Sequence, residues 1–280
     1  MNITRTKLML TAIIFSLLSM TASGATEKIG KCEADSCVNY FKQYKKAAKR
    51  GHSLAMLTLG QFYHHGYGTK VNEKLALKYF KKAARAGYTA AQFKAGYIYM
   101  SNKELRDIDE SIEYLETAAK YEYKGADFLL GMIYLDDEYG VKNLAKADKH
   151  FTKSYKRKYK QMPKVVEYVE AQKLMNEKSF PSFYAEVNKK PLVKTKDGSL
   201  SYHDDNVEVI TITSPPLETT FNKQIMDFRK AIKATGTRFH GKSCAQRLTC
   251  MQRADIADVT DFHLLFLQGF AGKDIYSGKL

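Results

Sequence analysis

The chain has 280 residues and carries 45 Lys and Arg against 30 Asp and Glu, which gives a formal net charge of +15. This length suffices for one or two domains with a sizeable core. Only one stretch, near the amino terminus, is apolar over more than ten residues, so the composition excludes a protein with several membrane spans. The basic balance favours anionic partners.

The first 25 residues predict a secretory signal peptide. Arg5 and Lys7 precede an uncharged apolar run at 8–20, and small residues follow at 21–25. The run is short for a bilayer span, which favours cleavage after Gly24 or Ala25 over a retained anchor. We therefore expect a periplasmic or secreted protein that has no membrane span after cleavage.

The four cysteines fit an exported chain, because they form two close pairs in the sequence. Cys32 and Cys37 stand near the expected mature amino terminus, and Cys244 and Cys250 near the other end. Two local disulfides are the prediction, although four cysteines allow three connectivities. Free thiols or a shared zinc site are the alternative, but neither pair has the two-residue gap of a zinc knuckle.

Most of the positive charge lies in the first part of the mature chain. Removal of the leader lowers the formal charge from +15 to +13, and residues 26–180 then carry 29 basic against 19 acidic side chains. Residues 181–280 carry 14 basic and 11 acidic side chains. The charge favours binding to an acidic protein surface or to an acidic envelope component. The alternative is that the Lys-rich face serves only to keep the protein soluble. We expect no nucleic-acid partner, since nucleic acid is not the usual target outside the cytoplasm.

Three copies of one spacing pattern follow one another between residues 47 and 158. Each Ala-Ala pair, at 47–48, 83–84 and 118–119, is followed twelve residues later by a Gly and three residues after that by a Tyr. A small residue and then a large apolar residue complete the unit, and the period is 36 and then 35 residues. The expected packing residues are Gly60, Tyr63 and Phe80, then Gly96, Tyr99 and Leu115, then Gly131, Tyr134 and Phe151.

Each unit predicts two amphipathic helices that cannot bury their apolar faces alone. In the first unit, Leu75, Tyr79 and Ala83 share one helical face. A Gly inside the first helix costs about 1 kcal/mol of helix propensity relative to Ala, so close contact with another helix is its best explanation. The hairpins must therefore stack into an α/α solenoid.

These residues resemble the Sel-1-like repeat, a relative of the tetratricopeptide repeat. Residues 52–87 match its pattern closely, whereas 88–122 and 123–158 depart from it at the glycine turn. Residues 39–51 look like the second helix of an incomplete leading unit, which Cys32 and Cys37 could pin as a cap. The resemblance implies a curved superhelix that acts as an adaptor or scaffold, often in the bacterial envelope.

The rest of the chain is less regular. A capping helix is expected at 164–178, so that the solenoid covers 26–180, and a linker or irregular segment is expected at 181–205. Residues 206–280 predict a small α+β module stapled by a disulfide, with strands at 207–213 and 262–267. Between these strands, Phe221, Ile225, Phe228 and Ile232 recur at helical spacing, with Gly236 as a C-cap.

One motif that matches a nucleotide-binding pattern is interpreted as coincidental. Residues 236–243 satisfy the P-loop expression, with Lys242 in the lysine position. A P-loop needs a buried strand before it and a helix after it, whereas an amphipathic helix precedes this segment and a predicted disulfide follows. We expect that replacing Lys242 changes no property of the protein.

No catalytic, metal or cofactor site is predicted. His64 and His65 are adjacent, and adjacent side chains on a helix point about 100° apart, so they rarely chelate one ion. The triplet 203–205, His-Asp-Asp, is expected to lie on the surface. The sequence lacks Ser-x-x-Lys and Gly-x-Ser-x-Gly, the signatures of two hydrolase classes.

Two surfaces remain as candidates for binding. The resemblance places the first helices on the concave side, where eight positions between the packing residues are predicted to bind protein: Met56, Thr58, Gln61, Gln92, Lys94, Tyr97, Asp127 and Met132. The second helices are predicted to carry a convex basic stripe: Lys42, Lys45, Lys49, Lys78, Lys81, Lys82, Lys153 and Arg157.

The sequence thus predicts an exported, non-enzymatic scaffold that mediates protein–protein contacts in the bacterial envelope. The alternatives are an envelope hydrolase of the β-lactamase type or a protein that binds cell-wall polymers. The partner and the oligomeric state stay open.

Overall fold

The computed structural model describes residues 29–135, 137–195, 198–203 and 216–232. This part of the chain contains ten helices and one two-stranded antiparallel sheet. The helices are α1 (Asp35–Lys49), α2 (Ser53–His65), α3 (Glu73–Arg85), α4 (Thr89–Ser101), α5 (Ile108–Lys120), α6 (Lys124–Leu135), α7 (Leu144–Lys156), α8 (Met162–Ala171), α9 (Pro181–Lys189) and α10 (Leu217–Ile232), and the strands are β1 (Leu192–Lys194) and β2 (Leu200–Tyr202).

Helices α2 to α7 form three stacked hairpins, which confirms the predicted solenoid. Within each hairpin the first helix (α2, α4 or α6) packs along the second (α3, α5 or α7), and each second helix packs on the first helix of the next hairpin. The core is therefore continuous along the stack, as expected for helix pairs that cannot stand alone.

Local sequence signals set where the second helices begin and where they end. Asn72, Asp107 and Asn143 cap α3, α5 and α7, and each side chain accepts a hydrogen bond from the backbone N–H three residues later. The turns after α1 and α3 contain Gly51 and Gly87 with positive φ. Glycine adopts this conformation without the steric cost of a Cβ, so these turns reverse the chain sharply.

The glycine inside each first helix lies against a large residue of its second helix. A Cβ added to Gly60 would stand 2.6 Å from the Phe80 ring, and one added to Gly96 would stand 2.7 Å from Leu115. Gly131 has the same relation to the ring of Phe151. Phe80, Leu115 and Phe151 are fully buried, so they have little room to move away. Close helix contact is therefore the reason for these glycines, as predicted.

The leading half-repeat is helix α1, and a disulfide fixes its start. Cys32 and Cys37 form this bond. The Cys32 N–H donates to the Gly66 carbonyl, and the Cys32 carbonyl accepts from the Gly68 N–H, which ties the amino-terminal segment to the turn after α2. The predicted first disulfide is confirmed, whereas Cys244 and Cys250 lie outside the described residues.

Helix α10 takes the place of the missing first helix of this half-repeat. Tyr44 of α1 occupies the position that Phe80 has in α3, 36 residues later. Its ring packs against Phe221 and Phe228 of α10, with centroids 5.5 Å apart in both pairs. The Tyr44 hydroxyl donates to the side-chain oxygen of Gln224. The helix expected inside a separate carboxy-terminal module thus covers the open amino-terminal end of the solenoid.

Phe221 is the centre of this contact between α10 and the solenoid. It is fully buried and lies within 5.6 Å, centroid to centroid, of the rings of Tyr40, Tyr44, Phe62 and Tyr67. Aromatic pairs at such distances contribute about 0.5–1.5 kcal/mol each beyond the area that they bury. Helix α10 is therefore held mainly by one ring inserted among four others.

The segment 181–205 is not an irregular linker, and this expectation was wrong. It contains α9, with Phe183 fully buried, and the strands β1 and β2. Asp148 of α7 accepts hydrogen bonds from the backbone N–H groups of Ser182 and Phe183, at 3.2 and 2.7 Å, and so caps α9. Pro181 is the first residue of α9, where its missing N–H costs no hydrogen bond.

The predicted capping helix at 164–178 is shorter than expected and begins earlier. Helix α8 ends at Ala171, and Lys173 then adopts a left-handed backbone conformation with φ of 58°. The signal peptide, the strands at 207–213 and 262–267, and the P-loop match lie outside the described residues. No helix of the described part is long and apolar enough to cross a membrane.

We expect Gly60→Ala to destabilise the protein. The new methyl group would overlap the buried Phe80 ring, and overpacking of this kind costs about 1–3 kcal/mol, which outweighs the gain of about 1 kcal/mol in helix propensity. Chemical denaturation would measure the loss in the free energy of unfolding.

A double variant is the matched control for this substitution. Combining Gly60→Ala with Phe80→Leu shortens the clashing ring and reproduces the glycine-to-leucine spacing of the second repeat. Part of the lost stability should return, so the two effects should not add. Simple additivity would show that Gly60 is needed for another reason.

Candidate interaction face of the first helices

The eight residues predicted to bind protein occupy three equivalent rows along α2, α4 and α6. The repeat period of 36 and 35 residues aligns their positions from one hairpin to the next. The rows are Met56, Gln92 and Asp127; Thr58 and Lys94; and Gln61, Tyr97 and Met132. We refer to these rows together as the first-helix face.

Three of the eight side chains are partly exposed. Met56, Tyr97 and Met132, one on each first helix, combine partial exposure with packing against the core. Methionine and tyrosine present a large contact area to a partner, and methionine adapts its shape readily. These three side chains are the part of the face that a partner could contact directly.

Two buried amide oxygens on this face lack a hydrogen-bond donor within the described structure. Gln61 is 2% exposed and Gln92 is 9% exposed, and the Oε1 atom of each is buried without a partner. A buried acceptor left unsatisfied costs about 1–3 kcal/mol. The two glutamines stand on successive first helices, and neither oxygen is open to solvent.

Thr58 and Lys94, which form the middle row, are buried. The Thr58 hydroxyl donates to the carbonyl of Leu54, one turn earlier in the same helix. Lys94 is 1% exposed, and its burial lowers the pKa of the ammonium group well below the usual range. Nearby, burial together with the charges of His64 and Lys94 lowers the pKa of His65 to about 3, so His65 is neutral at physiological pH.

Both carboxylate oxygens of Asp127 accept hydrogen bonds from side chains of the third repeat. One carboxylate oxygen accepts from His150 Nδ1 at 2.9 Å, and the other accepts from Arg157 Nη1 at 2.7 Å. The His150 ring also stacks on Tyr134. Asp127 is fully buried, so these two contacts compensate a charge that would otherwise be costly. The carboxylate joins α6 to α7.

The basic stripe predicted on the second helices is interrupted. Helix α5 carries Asp109, Glu113 and Glu116 on its exposed side, so an acidic band separates α3 from α7. Arg157 binds the buried Asp127, and Lys81 donates to the hydroxyl of Tyr99. The other six members are Lys42, Lys45, Lys49, Lys78, Lys82 and Lys153.

The described residues contain no group of three or more His, Cys, Asp and Glu side chains that could hold a metal ion. His64 pairs with Glu73 across the first hairpin at 2.7 Å, and its ring meets that of His65 edge to face. His203 follows β2 and is exposed, while Asp204 and Asp205 lie outside the described residues. The pairing of His64 with Glu73 thus links α2 to α3 within the first hairpin.

The sequence contains a signal for the role of Asp127 that periodicity alone does not reveal. At the corresponding positions of the first two repeats stand the neutral residues Met56 and Gln92. Only the third repeat has a carboxylate there, and only the third has His150 in its second helix and Arg157 directly after that helix. A charge that appears once, together with two basic partners, indicates a local ion-pair network.

Comparison with known protein families identifies the same three repeats that the helical hairpins form. A family model described as Sel1 repeat matches residues 53–88, 89–120 and 125–159. No curated protein matches the chain.

Two solved structures are similar to this chain. One is a protective antigen from uropathogenic Escherichia coli strains that displays an SLR fold, with 22% identity, a TM-score of 0.47, and coverage of 55% of this chain and 33% of its own. The other is a Sel1 repeat protein from Oxalobacter formigenes, with 24% identity, a TM-score of 0.38, and coverage of 45% and 96%. The chain thus spans about a third of the length of the first.

We expect Asp127→Ala to lower the free energy of unfolding by about 3 kcal/mol, because it leaves His150 and Arg157 without their acceptor. Met132→Ala, on the same helix and partly exposed, should cost less than about 1.5 kcal/mol. Equal losses, measured by denaturation, would contradict the role of Asp127 in joining α6 to α7.

Proposed function

Because three tandem Sel1 repeats form the described solenoid, we propose that the protein is an exported scaffold that holds a partner protein in the bacterial envelope. Sel1-repeat proteins generally mediate protein–protein interactions, and their fold is typically a non-enzymatic scaffold. This family behaviour supports an adaptor over an envelope hydrolase.

The observation that carries the proposal is the set of partly exposed side chains Met56, Tyr97 and Met132, one on each first helix. Gln61 and Gln92 offer side-chain oxygens that have no donor within the described structure. An extended polypeptide presents backbone N–H groups at regular intervals. Because both oxygens are enclosed, these groups would reach them only after the side chains that cover them move aside. Met56, Tyr97 and Met132 would then contact the side chains of the same peptide.

Export is supported by the leader pattern and by the disulfide. Cys32 and Cys37 are bonded in the structure, and bonds of this kind persist in oxidising compartments. The bond joins Cys37 of α1 to Cys32, whose backbone is hydrogen-bonded to the turn after α2. An oxidising compartment would therefore preserve this link between α1 and the first repeat. In this proposal the first-helix face acts outside the cytoplasm.

Site-specific photo-crosslinking in an envelope fraction tests the proposal. A photoreactive residue at Tyr97, on the first-helix face, should yield one predominant protein adduct. The same residue at Lys78, exposed on the second helix α3, is the matched control and should not yield that adduct. Equal labelling from both positions, or no protein adduct from Tyr97, would contradict a specific partner on this face.

The two glutamines provide a sharper test. The double variant Gln61→Leu/Gln92→Leu removes two unsatisfied acceptors, so the stability of the protein alone should be unchanged or higher. Loss of two hydrogen bonds to a peptide, at about 1 kcal/mol each, should weaken binding of the captured partner more than tenfold. Unchanged affinity would exclude these oxygens from the contact, and a loss of stability would show that they serve the fold.

A further inference from the structure

A second surface lies along one edge of the solenoid, away from the first-helix face. Lys49, Arg85, Lys120 and Lys156 are exposed and stand in the last turns of α1, α3, α5 and α7. They occupy equivalent positions, at intervals of 36, 35 and 36 residues. We call this row the basic edge.

The basic edge continues where the predicted stripe is interrupted. The acidic residues of α5 lie in its first three turns, whereas Lys120 ends the helix. The segments 45–54, 81–90, 116–125 and 153–161 surround the row and hold fourteen Lys and Arg residues against two Glu residues. The excess comes from 45–54, 81–90 and 153–161, whereas in 116–125 two Lys residues are balanced by two Glu residues.

The opposite edge has no such excess. Helices joined by short turns run antiparallel, so the second helices begin on the edge where the first helices end. The segments there, 64–74, 100–110 and 137–146, hold six Lys and Arg residues against seven Asp and Glu residues. The positive charge is thus concentrated along one side of the stack.

Compensation of the helix dipole does not account for the row. Cations near a helix carboxy terminus stabilise it by about 0.3–1 kcal/mol, and this benefit is available to every helix. The first helices α4 and α6 have no basic residue in their last turns. The last turn of α2 has only His64 and His65. Among the six helices of the three hairpins, Lys and Arg occur in the last turn of the second helices alone, so the helix dipole does not explain the row.

The spacing of the row identifies the kind of ligand. The second helices are separated by first helices, and packed helices lie about 10 Å apart, so neighbouring cations of the row are at least about this far from each other. A polysaccharide with one acidic group on each disaccharide offers charges at a comparable interval. The phosphates of a nucleic acid follow one another at about 3.4 Å along each strand of a duplex.

Residues around the row favour a flexible polymer over a folded protein. Protein interfaces need an apolar core, and within the part of the edge that the structure describes, Tyr121 is the one exposed large hydrophobic residue, at 63%. Tyr121 follows Lys120 in the chain, and its exposed ring offers a flat face on which a sugar ring could pack. We propose that the basic edge binds a linear anionic polysaccharide, independently of the partner on the first-helix face.

Binding of hyaluronan oligosaccharides of defined length, which carry one carboxylate per disaccharide, tests this proposal. In low salt, affinity should rise with length until the oligosaccharide spans the row. The variant Lys49→Gln/Arg85→Gln/Lys120→Gln should bind about tenfold more weakly, since each exposed ionic contact contributes up to about 1 kcal/mol. Lys42→Gln/Lys78→Gln/Lys149→Gln removes the same charge from the middle of second helices and should bind within about twofold of the unmodified protein.

Three results would overturn the proposal: no binding by the unmodified protein, equal losses in both triple variants, or tighter binding of single-stranded DNA of the same length. Should the first triple variant fail to fold, Glu116→Gln/Glu122→Gln supplies the reverse test. Removing these two acidic residues, which flank Lys120 in the chain, should raise affinity about threefold, and an unchanged affinity would equally contradict the proposal.

Discussion

Each hairpin of this solenoid depends on the close approach of a glycine to a large apolar side chain. Gly60 and Phe80 show the contact in the first repeat, where the absent side chain of one helix makes room for the ring of the other. The contact draws the two helices together but leaves apolar surface on both sides of the pair. Neighbouring hairpins cover that surface inside the stack, so the two ends need other cover. At the amino-terminal end the cover is α10, and at the other end α9 packs on α7.

The repeat core could be predicted from the sequence, because its contacts recur at a fixed interval. Gly60, Gly96 and Gly131 are each followed by their contact residue after twenty or nineteen positions, which makes the pattern visible without coordinates. The covers at the two ends could not be predicted, since each occurs once. Tyr44 and Gln224 are separated by 180 residues, and no periodicity relates them. The burial of polar positions such as Asp127 likewise depends on partners that the other repeats lack.

The same architecture separates two kinds of surface. On the first-helix face, the partly exposed Met56, Tyr97 and Met132 stand on successive first helices, which suits the peptide contact that we propose. Along the basic edge, Lys49, Arg85 and Lys120 project from equivalent last turns, which suits a polymer that is recognised by charge interval. A scaffold with both surfaces could hold a protein while it stays attached to an anionic matrix, and neither role requires the repeats to move.

The most direct test of the account is hydrogen–deuterium exchange of full-length Phe221→Ala beside Met226→Ala, an exposed position on the same helix. Loss of the central ring should cost about 3–5 kcal/mol locally. Because repeats interact mainly with their neighbours, protection should fall in α10, α1 and the end of α2 and stay unchanged in α5 to α7, with no change for Met226→Ala. Unchanged protection of α1 in Phe221→Ala would contradict the claim that α10 completes the leading half-repeat.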